Sequence, residues 1–89
     1  MAMNKKELID AIVKKRGRKS HGVWTIGITN DPKRRKKEHE NDGKDITNWK
    51  DWLADSSKTA REVESYFVEK GMKGGTREPV ETPTYVYVF

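Results

Sequence analysis

The sequence predicts a small α+β domain in which three to four helices pack against an antiparallel or mixed sheet of two to three strands. Two observations indicate this class: several segments space their apolar residues with helical periodicity, whereas others are rich in β-branched and aromatic residues. A chain of 89 residues can form one core and is too short for two. We therefore expect a single domain over residues 1–89, with an N-terminal helix and basic loop (1–21), a central region (22–71), and a loop with a C-terminal strand (72–89).

The first helix is predicted over about residues 4–16. Asn4 and Glu7 have the spacing of a capping box, in which each side chain bonds the backbone N–H of the other residue. The apolar residues that follow share one helical face: Leu8, Ile9, Ile12 and Val13. Gly17 is a typical residue at the end of a helix, and the segment 16–22 is a basic loop without apolar residues.

The best internal strand is predicted over residues 23–29. Gly27 within this strand lacks a side chain, which predicts close approach by another backbone or by a substrate. A second helix is predicted over 32–41, because the segment 30–32 supplies a capping residue and a proline at the first helical position. This helix contains no aliphatic or aromatic residue, so it is either a helix presented to phosphates or a frayed surface helix.

Two more helices are predicted in the second half of the chain. Trp49, Trp52 and Leu53 have i, i+3, i+4 spacing, which indicates a short helix whose indoles fill the core in preference to stacking on bases. A linker at 55–57 precedes the last helix, which begins with a second capping box at Thr59 and ends at Gly71. The apolar face of this last helix consists of Ala60, Val63 and Phe67.

The C-terminal segment predicts a loop and a strand. Glycine and proline recur in residues 72–83, which is typical of a loop, and residues 84–89 alternate in the manner of a strand. Two strands make a poor sheet, so we expect a third strand from 20–23 or 78–82.

The composition is poor in apolar residues and rich in charge. Hydrophobic residues make up 33% of the chain and charged residues 37%, and only 16 residues are Leu, Ile, Val or Phe. Three Trp and three Tyr argue against disorder, so we expect a folded domain with a thin core. The absence of Cys excludes disulfides, thiolate metal sites and a cysteine nucleophile. Because the sequence shows neither a signal peptide nor a long apolar run, we expect an intracellular, cytoplasmic protein.

The positive charge is concentrated in the first half of the chain. Residues 1–50 contain 14 Lys and Arg against 7 Asp and Glu, whereas residues 51–89 contain 5 against 7. This asymmetry favours a polyanionic partner such as nucleic acid, and a solvated basic surface is the simpler alternative. The candidate nucleic-acid-binding residues are Arg16, Arg18, Lys19, Lys33, Arg34, Lys36 and Lys37.

The run GVWTIGITNDPKRRKKEH over residues 22–39 resembles the GIY-YIG nuclease family. In that family a strand ending in Tyr-Ile-Gly leads through a turn to a helix with an essential Arg, eight residues after the motif glycine. Counted from Gly27, this position is Arg35. Some members carry a His four residues further on, where this chain has His39.

The resemblance extends over about residues 22–71 and implies a GIY-YIG-like fold and a metal-dependent endonuclease. A later helix of the family carries a metal-binding Glu, and the segment 60–68 is similar to it, with Glu64 at that position. The implied catalytic residues are thus Arg35, His39 and Glu64, with Glu64 as the metal ligand. Arg suits a developing phosphorane charge, and one Mg²⁺ or Mn²⁺ on a carboxylate can act as a Lewis acid. Without activity, no cofactor is expected.

Parts of the family motif are missing from this chain. The family separates its Gly-Ile-Tyr and Tyr-Ile-Gly halves on two hairpin strands, whereas residues 22–27 join them without a hairpin. Trp24 and Thr25 replace the two motif tyrosines, one of which is assigned as the water-activating base in the family. The late Asn of the family also has no counterpart, because no Asn follows Asn48.

The terminal strand offers a replacement phenol. Tyr85 and Tyr87 lie on it, and it could pair beside the strand 23–29 in the place of the missing hairpin strand. Tyr85, Tyr87 and Phe89 share one face, however, and buried aromatic packing is the commoner role of such a stripe. Both interpretations stay open at this point.

Three functions are consistent with the sequence. The first is a GIY-YIG-like endonuclease that cleaves phosphodiester bonds. The second is a catalytically inactive DNA- or RNA-binding module that uses the loop 16–19 and the helix 33–37 on phosphates. The third is a protein-interaction domain with a basic face. We expect nucleic acid as the partner, DNA in preference to RNA, with no membrane association and with a separate protein as a candidate source of specificity.

Overall fold

Seven regular elements follow one another in the computed structural model, which describes residues 2–74 and 84–89. In chain order they are α1 (Lys5–Arg16), β1 (Thr25–Thr29), α2 (Pro32–Asn41), β2 (Lys50–Leu53), α3 (Ser57–Glu69), β3 (Lys73–Gly74) and β4 (Tyr85–Val88). A single 3₁₀ turn at His21–Val23 precedes β1. The predicted α+β class is confirmed, with three helices and four strands among the described residues.

The four strands form one mixed sheet in the order β2-β4-β1-β3. Strand β4 is antiparallel to both β1 and β2, and β3 is parallel to β1. The C-terminal strand therefore lies between β1 and β2, although 55 residues of sequence separate β4 from β1 and 31 separate it from β2. Tyr87 faces Gly27 across one boundary of β4 and Asp51 across the other.

The third and fourth strands come from segments that the sequence assigned differently. Segment 20–23 contributes the 3₁₀ turn and no strand, and segment 78–82 lies outside the described residues. The additional strands are β2 and β3. The β3 pairing is short: Thr25 and Ile26 face Lys73 and Gly74, so part of the predicted loop 72–83 adds an edge to the sheet.

The main core lies between the sheet and helices α1 and α3. Ile26 and Ile28 of β1 and Val86 and Val88 of β4 belong to it, because alternate residues of a strand point to the same face. The helices contribute five fully buried residues: Leu8, Ile12, Ala60, Val63 and Phe67. On β4, Tyr87 alternates with the core valines and consequently points to the opposite face of the sheet.

Helix α1 has the ends that its sequence predicts. The Asn4 side chain accepts from the Glu7 backbone N–H at 2.9 Å, and the Glu7 side chain accepts from the Asn4 N–H at 3.0 Å, which completes the capping box. Gly17 follows the helix with φ at 60°, a conformation that favours glycine. Val13 is exposed, so the buried face of α1 is narrower than the predicted apolar face.

The short helix predicted around Trp49–Leu53 is wrong, because residues 50–53 form strand β2. An i, i+3, i+4 pattern over five residues cannot distinguish a helix turn from a strand. Pairing with β4 satisfies the backbone here, and it sends Trp52 towards the main core while Asp51 points to the other face. The linker predicted at 55–57 and the capping box predicted at Thr59 are also wrong, because α3 already begins at Ser57 and its cap is Ser56, whose side chain accepts from the Thr59 backbone N–H.

Candidate functional site

Helix α2 contains no aliphatic or aromatic residue, and polar contacts attach it to the sheet. It begins at Pro32, where the Asp31 carboxylate accepts a hydrogen bond from the Arg34 backbone N–H at 3.1 Å. Arg35 and His39 are four residues apart and therefore lie on the same helical face. This face points inward, because His39 is 3% exposed and the Arg35 side chain 14% exposed. Two polar side chains thus replace the missing hydrophobic stripe.

Both of these side chains reach the hydroxyl of Tyr87. Arg35 Nε–H donates to it at 3.3 Å, and His39 Nε2 lies 2.9 Å from the same oxygen. The Tyr87 side chain is fully buried and lies against Gly27, where a Cβ atom would overlap the phenol ring. The close approach expected at Gly27 therefore comes from a side chain of the neighbouring strand, and the expectation of a backbone or a substrate there is wrong.

Tyr87 belongs to a cluster of four rings, His39, Trp49, Tyr87 and Phe89, which we call the aromatic cluster. Trp49 stacks on Tyr87 with ring centroids 4.5 Å apart and planes inclined by 10°, and Phe89 lies 4.7 Å from the His39 ring. The Trp49 indole N–H donates to the Asp51 carboxylate at 2.8 Å, which fixes the indole over the phenol. The Tyr87 hydroxyl is thereby held in one position.

Burial, more than the surrounding charges, favours the protonated form of the Tyr87 phenol. Burial raises the pKa of Tyr87 above its ordinary value, the hydrogen bond and charge of Arg35 oppose this, and the charges of Glu64 and Glu38 add to it. Burial alone would lower the pKa of Arg35, but hydrogen bonds with Tyr87 and Glu38 raise it, so the guanidinium is a permanent cation. Arg35 and Glu38 form an ion pair at 3.2 Å.

The hydroxyl of Tyr87 can exchange a proton with His39. Arg35 occupies one acceptor position of the oxygen, which leaves the phenol proton and a second lone pair. When His39 carries its proton on Nδ1, the phenol donates to Nε2; in the other tautomer Nε2–H donates to the phenol. In the first arrangement an acceptor faces the proton and a cation faces the oxygen. This is the geometry of an acid–base pair beside a charge-stabilising group.

Two of the three residues that the family resemblance indicates meet at this hydroxyl. Arg35 and His39 contact it directly from α2. Glu64 lies half-buried on α3, and its charge contributes to raising the pKa of the phenol. Helix α2 and strand β4 therefore form the contacts of the site, and α3 acts on it through the charge of Glu64.

The basic residues predicted to bind nucleic acid lie at the end of α1, on the loop after it and on α2. Six of them are exposed: Arg18, Lys19, Lys33, Arg34, Lys36 and Lys37. Arg16 differs, because it is half-buried and its guanidinium donates to the Lys19 carbonyl at 2.8 Å. Arg16 thus orders the loop that presents Lys19 to solvent.

The sequence predicts Trp49 in the main core, and Asp51 is not among the predicted site residues. Trp49 lies on the opposite face of the sheet, in the aromatic cluster, and Asp51 fixes it. The register of β2 against β4 decides this arrangement, and the five residues around Trp49 carry no local sign of it. The sequence does contain a signal for the position of Tyr87. A glycine inside a strand leaves space that a large side chain of the neighbouring strand can fill.

At this site the protein offers a divalent metal one candidate ligand, the carboxylate of Glu64. Among residues 2–74 and 84–89, no group of three or more His, Cys, Asp or Glu side chains could hold a metal ion. Mg²⁺ is commonly held by one or two carboxylates together with substrate phosphates and water. The carboxylate of Glu64 therefore fits such an ion only when phosphate oxygens complete its coordination.

Comparison with known proteins returned no match, whether against protein-family models, curated proteins or solved structures. In the part of the chain that the structure describes, no helix is long and apolar enough to cross a membrane.

Proposed function

We propose that this domain engages nucleic acid and cleaves phosphodiester bonds with a GIY-YIG-like site whose first motif strand has moved to the C-terminus. The observation that carries the proposal is that Arg35 and His39 both bond the Tyr87 hydroxyl, while the charge of Glu64 acts on the same phenol. The family spacing from Gly27 points to Arg35 and His39 independently of Tyr87.

The position of β4 supports the permuted arrangement. In the family the Gly-Ile-Tyr strand pairs with the Tyr-Ile-Gly strand as one hairpin, and this chain lacks that hairpin. Strand β4 is antiparallel to β1 and has the sequence Tyr85-Val86-Tyr87 opposite the Gly27 region. Tyr87 then takes the place of the first motif tyrosine. The position of the second motif tyrosine is occupied by Thr25.

Arg35 is the group that meets the scissile phosphate. Its guanidinium carries a permanent charge and a fork of N–H donors, which suits the charge that develops on a pentavalent phosphorus. Its Nε is already bonded to Tyr87, and its Nη1 is paired with Glu38, whose side chain is half exposed. A phosphate competes with Glu38 for Nη1 and leaves the bond to Tyr87 in place.

Tyr87 and His39 hold and accept protons behind Arg35. The phenol orients the guanidinium, and the imidazole of His39 is within hydrogen-bonding distance to take or return the phenol proton. Glu64 would hold a divalent metal, which when bound to phosphate supplies Lewis-acid stabilisation of the leaving oxygen. The exposed lysines and arginines of α2 and of the loop after α1 contact the phosphate backbone without reading bases.

A second function is favoured by one specific observation. Tyr87 is fully buried, so in this conformation its phenol touches Arg35 and His39 and does not reach a water molecule in solvent. A binding module that uses Arg35 on phosphate, with Tyr87 only as its support, has this geometry without chemistry. The two functions predict the same binding and differ in turnover.

Cleavage of supercoiled and branched DNA with Mg²⁺ or Mn²⁺ separates these functions. The endonuclease predicts nicking by the wild type, loss of at least about 100-fold in Arg35→Ala and Glu64→Gln, and near-normal activity in the matched controls Arg61→Ala and Glu69→Gln, two exposed residues of α3. Tyr87→Phe should lower the rate, whereas Tyr85→Phe should not. Wild-type inactivity with both metals would overturn the endonuclease and leave the binding module. No binding of DNA or RNA at ~50 mM salt would overturn both.

A further inference from the structure

A cavity of about 410 Å³ opens beside the aromatic cluster. Six residues line it: Lys19, Ser20, Val23, Trp24, Asn48 and Phe89. It lies where Phe89 pairs with the start of β1, because Thr25 and Phe89 exchange backbone hydrogen bonds of 2.8 and 3.0 Å there. Its volume is within the range of pockets that bind small organic groups.

The walls of this cavity suit a flat aromatic ligand. Trp24 and Phe89 supply ring surfaces, and Val23 supplies an apolar edge that is 64% exposed in an otherwise basic and polar loop. Asn48 and Ser20 add an amide and a hydroxyl, which can bond donors and acceptors on the edge of a ring. The Trp24 indole N–H is buried and has no hydrogen-bond partner within the described residues, so a ligand acceptor that reached it would satisfy this donor.

The positive charges beside the cavity indicate that the ligand also carries an anionic group. The Lys19 ammonium lies 5.4 Å from the centroid of the Trp24 ring, and Arg18 next to it is exposed. Apolar ring walls with an ammonium group at the rim match a base joined to a phosphate. An uncharged hydrophobic ligand would leave Lys19 without a counterpart.

Phe89 connects the cavity with the site around Tyr87. It lines the cavity and at the same time lies 4.7 Å from the His39 ring and 5.5 Å from the Trp49 ring. A group held in the cavity is therefore separated from the Arg35–His39–Tyr87 site by one aromatic side chain.

We propose that this cavity binds one unstacked nucleobase of the strand whose phosphates contact Arg35, with the phosphate of the same nucleotide on Lys19. The proposal rests on the proposed function and makes it more specific. A base inside a duplex is stacked and paired, so the cavity accepts a base from a single-stranded segment, a branch or an end. The preferred substrates are then nucleic acids with unpaired nucleotides.

Binding of two oligonucleotides of equal length and charge tests this cavity. The first is single-stranded oligothymidylate, and the second is the same strand with abasic residues, each titrated in EDTA so that cleavage does not occur. Stacking contributes about 1–3 kcal/mol per base, so we expect the natural strand to bind about 5- to 150-fold more tightly. The Trp24 indole N–H resonance should shift with the natural strand and not with the abasic strand.

Val23→Glu places a negative charge at the rim without disturbing a buried side chain. It should reduce the preference for the natural strand to less than about twofold. The matched control Val68→Glu makes the same change on α3, at a residue that is 43% exposed and does not line the cavity, and it should retain the preference. A fold measurement by circular dichroism accompanies both variants.

Each outcome decides the proposal. A base preference that Val23→Glu removes and Val68→Glu retains supports it, even if no cleavage is found with Mg²⁺, in which case only the endonuclease fails. Equal affinity for natural and abasic strands overturns the cavity while nucleic-acid binding stands. Equal effects of the two valine variants also overturn it. Absence of binding by either strand overturns the cavity and the proposed function together.

Discussion

Replacing Gly27 by Ala tests the contact on which the site depends. Gly27 lies on β1 opposite Tyr87, and a Cβ added there would overlap the hydroxyl oxygen, Cζ and Cε2 of the Tyr87 ring. The ring cannot easily move away, because Trp49 stacks on it at 4.5 Å and its hydroxyl is bonded to Arg35 and His39. The substitution must therefore shift either strand β1 or the whole aromatic cluster.

The expected loss of stability follows from two contributions. Inserting a methyl group into a packed interior costs about 1–3 kcal/mol. Displacing the hydroxyl weakens two hydrogen bonds, each with a net value of about 1 kcal/mol. A total of about 3 kcal/mol lowers the melting temperature of a domain of this size by roughly 12–24 °C.

Urea and thermal denaturation followed by circular dichroism measure this loss. Gly22→Ala is the matched control, because a Cβ at Gly22 meets nothing within 4 Å and should change stability by less than about 1 kcal/mol. In the background Tyr87→Leu the overlapped atoms are absent, so Gly27→Ala should cost less than about 1 kcal/mol there. If Gly27→Ala costs no more than Gly22→Ala in the wild-type background, the placement of the Tyr87 ring against β1 is refuted.

Three further predictions concern the Tyr87 hydroxyl, the pKa of Tyr87 and the cap of α3. Tyr87→Phe removes the hydroxyl shared by Arg35 and His39 and should destabilise the fold by about 1–2 kcal/mol in urea denaturation, with Tyr85→Phe as the smaller control; equal effects of the two would contradict the network. Because burial raises the pKa of Tyr87 above 10.0, its contribution to stability is complete below pH 10.0 and is lost as the pH rises through the folded-state pKa. In the wild-type minus Tyr87→Phe difference spectrum of the folded protein, Tyr87 should accordingly be less than half ionised at pH 10.0, and a Tyr87 that is half ionised or more there would be inconsistent with a raised pKa. Ser56→Ala should cost about 1 kcal/mol by removing the cap that accepts from the Thr59 backbone N–H, whereas Ser65→Ala on the exposed side of α3 should be neutral in the same assay; a neutral Ser56→Ala would argue against that cap.

Elements with local signals could be predicted from the sequence. The capping box at Asn4 and Glu7 and the Pro32 start of α2 lie within a few residues of the helices that they begin. Strands β1 and β4 have enough β-branched and aromatic residues to be recognised alone. Strand β2 has no such signal, since Lys50 and Asp51 are poor strand formers and the segment becomes a strand by pairing with β4.

The candidate site likewise combines a local feature that the sequence shows with a long-range contact that it does not show. The spacing from Gly27 to Arg35 and His39 is a local property of the sequence. Because Arg35 and His39 are four positions apart on one helix, their side chains lie on the same face. Their meeting with Tyr87 joins residues 52 and 48 positions apart. No periodicity reports such a contact, because it depends on where β4 inserts into the sheet.

A thin core, a basic first half and a polar helix without a hydrophobic stripe are all visible in the amino-acid sequence. What that helix packs against depends on the three-dimensional fold. The insertion of β4 between β1 and β2 places a tyrosine over a glycine, and the hydroxyl of that tyrosine bonds the two inward side chains of α2. Burial inside the sheet and helix layers makes those few hydrogen bonds strong enough to fix the helix, since water no longer competes for them.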